Sequence, residues 1–298
     1  MTRDIAETQS GAELRTGIDT RASERALKRR KVVTVWHFLG LALVFMITVF
    51  PFYWMVTSSL KPADQITATP AVWIFTPTLE HYANALEAGV LGSLINSLIV
   101  ALSTTALSLI LGAPAAYGLA RFEFRGKREL WFWFITNRMI SPIVLALPIF
   151  LLARWLYLLD THLVLVLVYL TFNLPIVVWI CTDQFSSIPQ DLEDAARLEG
   201  VSRFSIFTRI ALPLAAPGLA VSAIFAFIFS WNELLYALVL TRRSSRTAPV
   251  EALSFLDGYF LPWGEIMATG TIIILPVVIF ALMVSRHLVR GLTMGAVK

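Results

Sequence analysis

The chain has 298 residues, of which 57% are hydrophobic and only 15% charged, and its mean hydropathy is +0.72. A soluble domain carries about 25% charge and 45–50% apolar residues, so a single soluble core has no way to hide this surplus, which argues against a soluble globular enzyme. The net charge of +4 sits in short segments between apolar runs rather than in a basic stripe, so nucleic acid is not an expected partner.

Residues 1–31 are polar and charged without apolar periodicity, which predicts a disordered tail ahead of a membrane domain over 32–298. Uncharged runs then follow at 32–60, 88–120, 139–153, 161–182, 210–232 and 266–285. The third is short alone, but 130–153 suffices if Arg138 lies inside it. A spanning helix needs about 20 apolar residues, and lipid offers the backbone no water, so helices are the expected form. The fold predicted is all-α and polytopic, with six transmembrane helices. Eighteen lysines and arginines fall on the side of the tail, the 121–129 loop, the 183–209 loop and the C-terminus, against five on the other. The positive-inside rule then places both termini in the cytoplasm and the chain in the cytoplasmic membrane as a multi-pass protein. The run 32–60 is too long for a signal-peptide core and lacks a small-residue cleavage pattern, so it stays as the first span.

Cys181 is the lone cysteine and the four histidines are scattered, which leaves no intramolecular disulfide and no recognisable metal site. Along the second run, Ser93, Ser97, Ala101, Thr104 and Ser108 recur every three or four residues on one helix face. Such a face can line a pore, but more often it lets two helices approach closely. Arg138 sits about nine residues into the third span, about 13 Å deep at 1.5 Å per residue. A charge at that depth must face a cavity, a partner or the protein interior. In the fourth run Tyr169, Thr171, Phe172 and Asn173 precede Pro175, a set that suits either a sugar or a helix kink. Asn232, Glu233 and Tyr236 follow at the outer end of the fifth. Arg138, Tyr169, Asn173, Asn232, Glu233 and Tyr236 are therefore candidates for a translocation path or its gate, with interhelical bonding as the plainer alternative.

The cytoplasmic loop 183–209 has the grammar of two short helices. Ser187 and Gln190 fit a capping box, and Pro189 suits a first helical turn. Asp191, Glu193 and Asp194 place negative charge near the positive end of a helix dipole. Gly200 stands where a left-handed C-terminal cap is needed, and Ser202 can cap a second helix. Leu192, Ala195, Ala196 and Leu198 give the first helix a small apolar side, fit for a membrane surface or a protein partner. Pro213 and Pro217, at the entry of the fifth span, are either hinges or simple helix terminators.

Asp194-Ala195-Ala196, three residues, Gly200, nine residues, then Ile210-x-Leu212-Pro213 matches the E-A-A-x(3)-G-x(9)-I-x-L-P motif, with aspartate for the leading glutamate. On this motif the chain resembles the integral membrane permeases of binding-protein-dependent ABC importers. Further stretches, PFYWM from Pro51, GAPAAYGLARF from Gly112, WNE from Trp231 and RGLTMGAVK from Arg290, are similar to the carbohydrate-uptake branch, and to the smaller six-span permease of maltose-type transporters.

The resemblance implies that Glu193, Asp194, Ala195, Ala196, Leu198, Glu199, Gly200, Ile210, Leu212 and Pro213 form a loop coupled to an ATPase. It implies a heterodimer with a second permease, a cytoplasmic ATPase dimer, an extracytoplasmic solute-binding protein, a lipid surround, and alternating access. The chain has no G-x-x-x-x-G-K-[ST] phosphate loop, so it is expected to bind no cofactor itself, with ATP and Mg on the partner subunits. A sugar is the expected solute. A polyol, glycerol phosphate or amino acid, an ATP-independent secondary transporter, and a membrane scaffold are the competing readings.

Overall fold

The structure, a computed structural model, describes residues 37–137, 139–256 and 261–295. Its regular elements are all helices, with no strand among the described residues. The expected N-terminal tail and Arg138 lie outside the described residues. The chain divides into two compact units, Met1–Thr57 and Ser58–Lys298. Helix α1 (His37–Ser59) accounts for the described part of the first.

The second unit begins with two short helices, α2 (Ala63–Ile66) and α3 (Glu80–Glu87). Two long helices then form its centre. They are α4 (Val90–Arg121) and α7 (His162–Ser186), and between them lie α5 (Lys127–Asn137) and α6 (Pro142–Trp155). After α7 come α8 (Asp191–Leu198), α9 (Arg203–Ile206), one π-helical turn over Phe207–Ala211, α10 (Leu212–Leu214) and α11 (Ala216–Trp231). The chain closes with α12 (Leu235–Leu240), α13 (Ala248–Ser254) and α14 (Trp263–Gly295).

Among the described residues four helices are long and apolar enough to cross a bilayer: α1, α4, α7 and α14 from Trp263 to Phe280. A fifth span arises if Arg203–Leu214 and Ala216–Trp231, bent by 75° against each other, count as one. The third predicted span is not a continuous helix. Its second piece, α6, has 14 residues, about 21 Å at 1.5 Å per residue against a hydrocarbon core of about 30 Å. The reason is local. Ser141 is extended, with φ −64° and ψ 127°, as the residue before a proline is driven to be, and Pro142 opens the new helix where its missing N–H costs nothing.

Close approach holds α4 to α7. A Cβ built on Gly112 would stand 2.6 Å from Val177 Cγ1, so only glycine lets the two backbones come this near. The predicted small-residue face of α4 is wholly inside: Ser93, Ser97, Ala101, Thr104 and Ser108 are all buried. Ala101 packs with Phe227 and Trp231 of α11, against Ile273 and Phe280 of α14. The face is a packing seam, as its composition favoured.

The bend before α11 has an identifiable source. Ala215 leaves the helical path at ψ −1°, and α11 restarts with Pro217 in its first turn. Proline there offers no N–H to the preceding turn, so the helical ladder breaks between Leu214 and Ala216.

Candidate functional site

Two regions gather the predicted site residues. The first is the loop between α7 and α11. Its α8 and α9 form as expected, and the joint between them is a Schellman turn. Gly200 has φ +81°, its N–H donates to Arg197 O at 3.0 Å, and Val201 N–H donates to Ala196 O at 3.1 Å. Glycine takes that left-handed backbone without strain. Ser202 caps α9, its hydroxyl accepting from Ser205 N–H at 3.3 Å. The start of α8 differs from the predicted capping box. Ser187 instead terminates α7, donating its hydroxyl hydrogen to Gln184 O at 2.7 Å, and α8 begins at Asp191 with no side-chain cap on Gln190. Pro189 therefore lies in the connection, ahead of the first turn.

Neighbouring residues of α8 face opposite ways. Asp194 is exposed and pairs at 2.8 Å with Arg197 of its own helix. Glu193 is fully buried and accepts from Tyr117 Oη at 2.7 Å and Arg121 Nε at 2.8 Å, both on the last turns of α4. The two alanines divide likewise, with Ala196 buried and Ala195 exposed. The predicted apolar side is thus reduced by one, leaving Leu192, Ala195 and the 91%-exposed Leu198 facing out. Glu199 is exposed, Ile210 and Leu212 are half-buried, and Pro213 is exposed. Phe204 of α9 extends the outward apolar set at 76% exposure.

The second region lies where α7 meets α11 and α12. Asn173 Nδ2 donates to Ser230 Oγ at 2.9 Å and to Tyr169 O at 3.0 Å. Tyr169 packs on Phe172, which stacks on Tyr236 with ring centroids 6.4 Å apart. Glu233 sits in the break between α11 and α12, its carboxylate accepting from Tyr236 N–H at 3.0 Å and Ala237 N–H at 3.2 Å. It therefore works as the N-terminal cap of α12, which its place in an apolar run concealed. The structure brings Tyr169, Asn173, Glu233 and Tyr236 together. Asn232 is apart from them, exposed and donating back to Ile228 O of its own helix at 2.9 Å.

Several polar contacts had no signal in the sequence beyond their residue types. The segment after α12 is fastened by Asp160, whose carboxylate accepts from the N–H groups of Arg242 and Ser244 at 3.0 Å and of Ser245 at 3.1 Å. Partial burial works against its ionisation, yet these backbone amides hold the Asp160 carboxyl far below the usual carboxylate range. Asn96 Nδ2 donates to the carbonyls of Ser244 and Arg246, while Ser97 Oγ accepts from Ala248 N–H at 2.8 Å and Ser93 Oγ donates to Glu251. A fixed loop thus covers one end of α4 while α8 is fastened to the other.

Residues 108–294 match the family described as binding-protein-dependent transport system inner membrane component. The trehalose transport system permease protein SugB of Mycobacterium tuberculosis is 39% identical over 269 residues, covering 89% of this chain and 97% of SugB. The trehalose/maltose transport system permease protein MalG of Thermococcus litoralis is 34% identical over 281 residues, covering 92% and 99%. In fold, the chain is similar to a solved chain of a bacterial ABC transporter involved in the import of alginate, with a TM-score of 0.69 at 22% identity over 86% of this chain and 96% of that one. A match over most of the chain, on a helical bundle with the motif-bearing loop between α7 and α11, establishes that this protein is a multi-pass membrane protein of the binding-protein-dependent transport system inner membrane component family.

Proposed function

We propose that the chain is one transmembrane subunit of an ABC importer that carries a sugar across the cytoplasmic membrane. The observation that carries the coupling half of this reading is the outward apolar set of Leu192, Ala195 and Leu198 on α8, inside the family motif. Together with Phe204 at 76% exposure, Leu198 at 91% gives the outer side of α8 and α9 a group of large apolar side chains inside the family motif, and a group, unlike a single exposed leucine, suits a partner surface. The occupant we assign is a cytoplasmic ATPase dimer, which binds the ATP and Mg. The sugar assignment rests on the relatives named for trehalose and maltose.

In this reading the chain crosses the membrane six times with both termini in the cytoplasm. The α5–α6 pair makes the third crossing and the bent α9–α11 segment the fifth. A second permease completes the pathway, and an extracytoplasmic solute-binding protein delivers the sugar. Closure of the ATPase pair moves α8, and the bundle opens to the other side. The cluster of Tyr169, Asn173, Glu233 and Tyr236 serves as a gate that holds α7 against α11 and α12, while Arg138 and Asn232 remain candidates for the path itself.

The test is reconstitution of the complex that co-purifies with the chain, assayed for ATP-dependent uptake of labelled trehalose and maltose. Uptake that requires both ATP and the binding protein supports the reading. Uptake driven by an ion gradient without ATP contradicts it.

A further inference from the structure

We propose that Glu193, with Arg121 and Tyr117, is a positioning residue of transport: the joint through which movement of α8 enters the membrane bundle by way of α4. This rests on the reading that α8 docks an ATPase.

A helix that only docked a partner would need no carboxylate on its inner side, since a buried charge is costly unless it is paired and hydrogen-bonded. Glu193 is 0% exposed and Arg121 5%, and every bond the pair makes leads to α4 or to the entry of α8. Arg121 Nε donates to Glu193 at 2.8 Å, and its Nη2 donates to Ile188 O at 2.9 Å, in the connection from α7. One guanidinium thus grips the first turn of α8 and the strap leading into it. Tyr117, one turn earlier on α4, donates to the other carboxylate oxygen of Glu193 at 2.7 Å.

The second short helix is attached to the same place. The Arg203 guanidinium of α9 lies over the Phe122 ring, 5.1 Å from its centroid, and Phe207 of the π-turn packs on Tyr117 at 5.0 Å. Both halves of the loop therefore bear on the final turn of α4 and the residue after it. That helix runs unbroken from Arg121 to Val90, where Ser93 and Ser97 hold the fixed loop at its far end. Charge-assisted bonds to a carboxylate are short and directional, which suits transmission of a displacement better than apolar contact does. Asp194, by contrast, makes its ion pair within α8. Adjacent acidic residues divide the labour, one facing the partner and one the bundle.

The experiment uses the whole importer in liposomes and reads sugar moved per ATP hydrolysed, with co-purification of the ATPase as the assembly control. For Glu193→Gln and Arg121→Gln the ATPase is retained and the ratio falls about fivefold or more, the range of ordinary coupling between sites. Tyr117→Phe, which deletes one hydroxyl, lowers the ratio about twofold, and Glu193→Asp, which keeps the charge, recovers most of it. An unchanged ratio in Glu193→Gln overturns the joint. Should that variant be lost from the membrane, Tyr117→Phe decides the matter, and an unchanged ratio there overturns it equally. Failure of the unmodified chain to retain an ATPase would instead sink the docking reading, so the two failures are distinguishable.

Discussion

Asn173 on α7 donates its Nδ2 hydrogen to Ser230 Oγ on α11 across 2.9 Å, with both side chains buried. Between helices in a membrane such a bond contributes about 0.6 kcal/mol, rarely above about 1.7. The Asn173 Oδ1 and Trp231 Nε1 atoms beside it are buried without a hydrogen-bond partner among the described residues. Asn173→Leu removes the bond together with one orphaned acceptor, so the expected loss of stability is small, about 1 kcal/mol or less. Under the proposed gate, uptake is expected to fall by more than the folded protein does. Thermal unfolding in detergent and uptake in liposomes, measured on the same preparation, separate the two. A fall in uptake no greater than the fall in folded protein would show that the pair only holds helices together.

Gly112 against Val177 gives a prediction with a built-in rescue. Gly112→Ala places a methyl 2.6 Å from Val177 Cγ1, and overpacking of this kind costs about 1–3 kcal/mol. Val177→Ala in the same chain vacates the space and should recover most of the loss. A double-mutant cycle by thermal unfolding measures the coupling. Additive effects would mean that α4 and α7 are not held at this distance by the glycine.

Much of this architecture was legible in the sequence because apolar length and small-residue spacing are local properties. The runs at 88–120 and 161–182 became α4 and α7 with ends within a few residues, and the seam of Ser93 to Ser108 took the buried side. Gly200 and Ser202 also declared their roles, since a left-handed cap and an N-cap are fixed by residue type and position. Within the third run, the break before Pro142 was written in the Ser141-Pro142 step, since the residue before a proline is driven out of the helical region. Ser187 was misread because a serine near a helix junction can end one helix as readily as begin the next.

The roles of Glu193 and Glu233 depend on what is packed opposite them, which a single sequence does not reveal. In each case a glutamate on an apolar or motif-bearing segment found its partners 72 residues away, at Arg121, or within one turn, at Tyr236. Asp160 is the same kind of case, bonded to amides 82 to 85 residues on.

Asp160 also sets a pH dependence whose sign is determined. Its folded-state carboxyl is held below that of the unfolded chain, where aspartate titrates at about 3.9. The stability it contributes is therefore full above about pH 4 and is lost as pH falls below that toward the folded-state value. Hydrogen exchange at the amides of Arg242, Ser244 and Ser245 should be protected at neutral pH and quicken as pH falls below about 4, after correction for the intrinsic rate. Asp160→Asn should show about tenfold faster exchange at these amides already at pH 7, since the charge-assisted part of the bonding is gone. Equal protection in the variant would mean that the turn holds its shape without Asp160.

The central claim, that the face of α8 turned away from the bundle is where an ATPase docks, is tested most directly by gentle-detergent purification of the tagged chain from native membranes. Leu198→Glu is the variant of choice, because Leu198 is 91% exposed, whereas Ala196 is buried and Gly200 is conformationally constrained. The account predicts an ABC ATPase subunit bound to the unmodified chain and lost with Leu198→Glu, at equal amounts of chain in the membrane. An ATPase retained in full by Leu198→Glu, or absent from the unmodified chain in every detergent that keeps it folded, would contradict it.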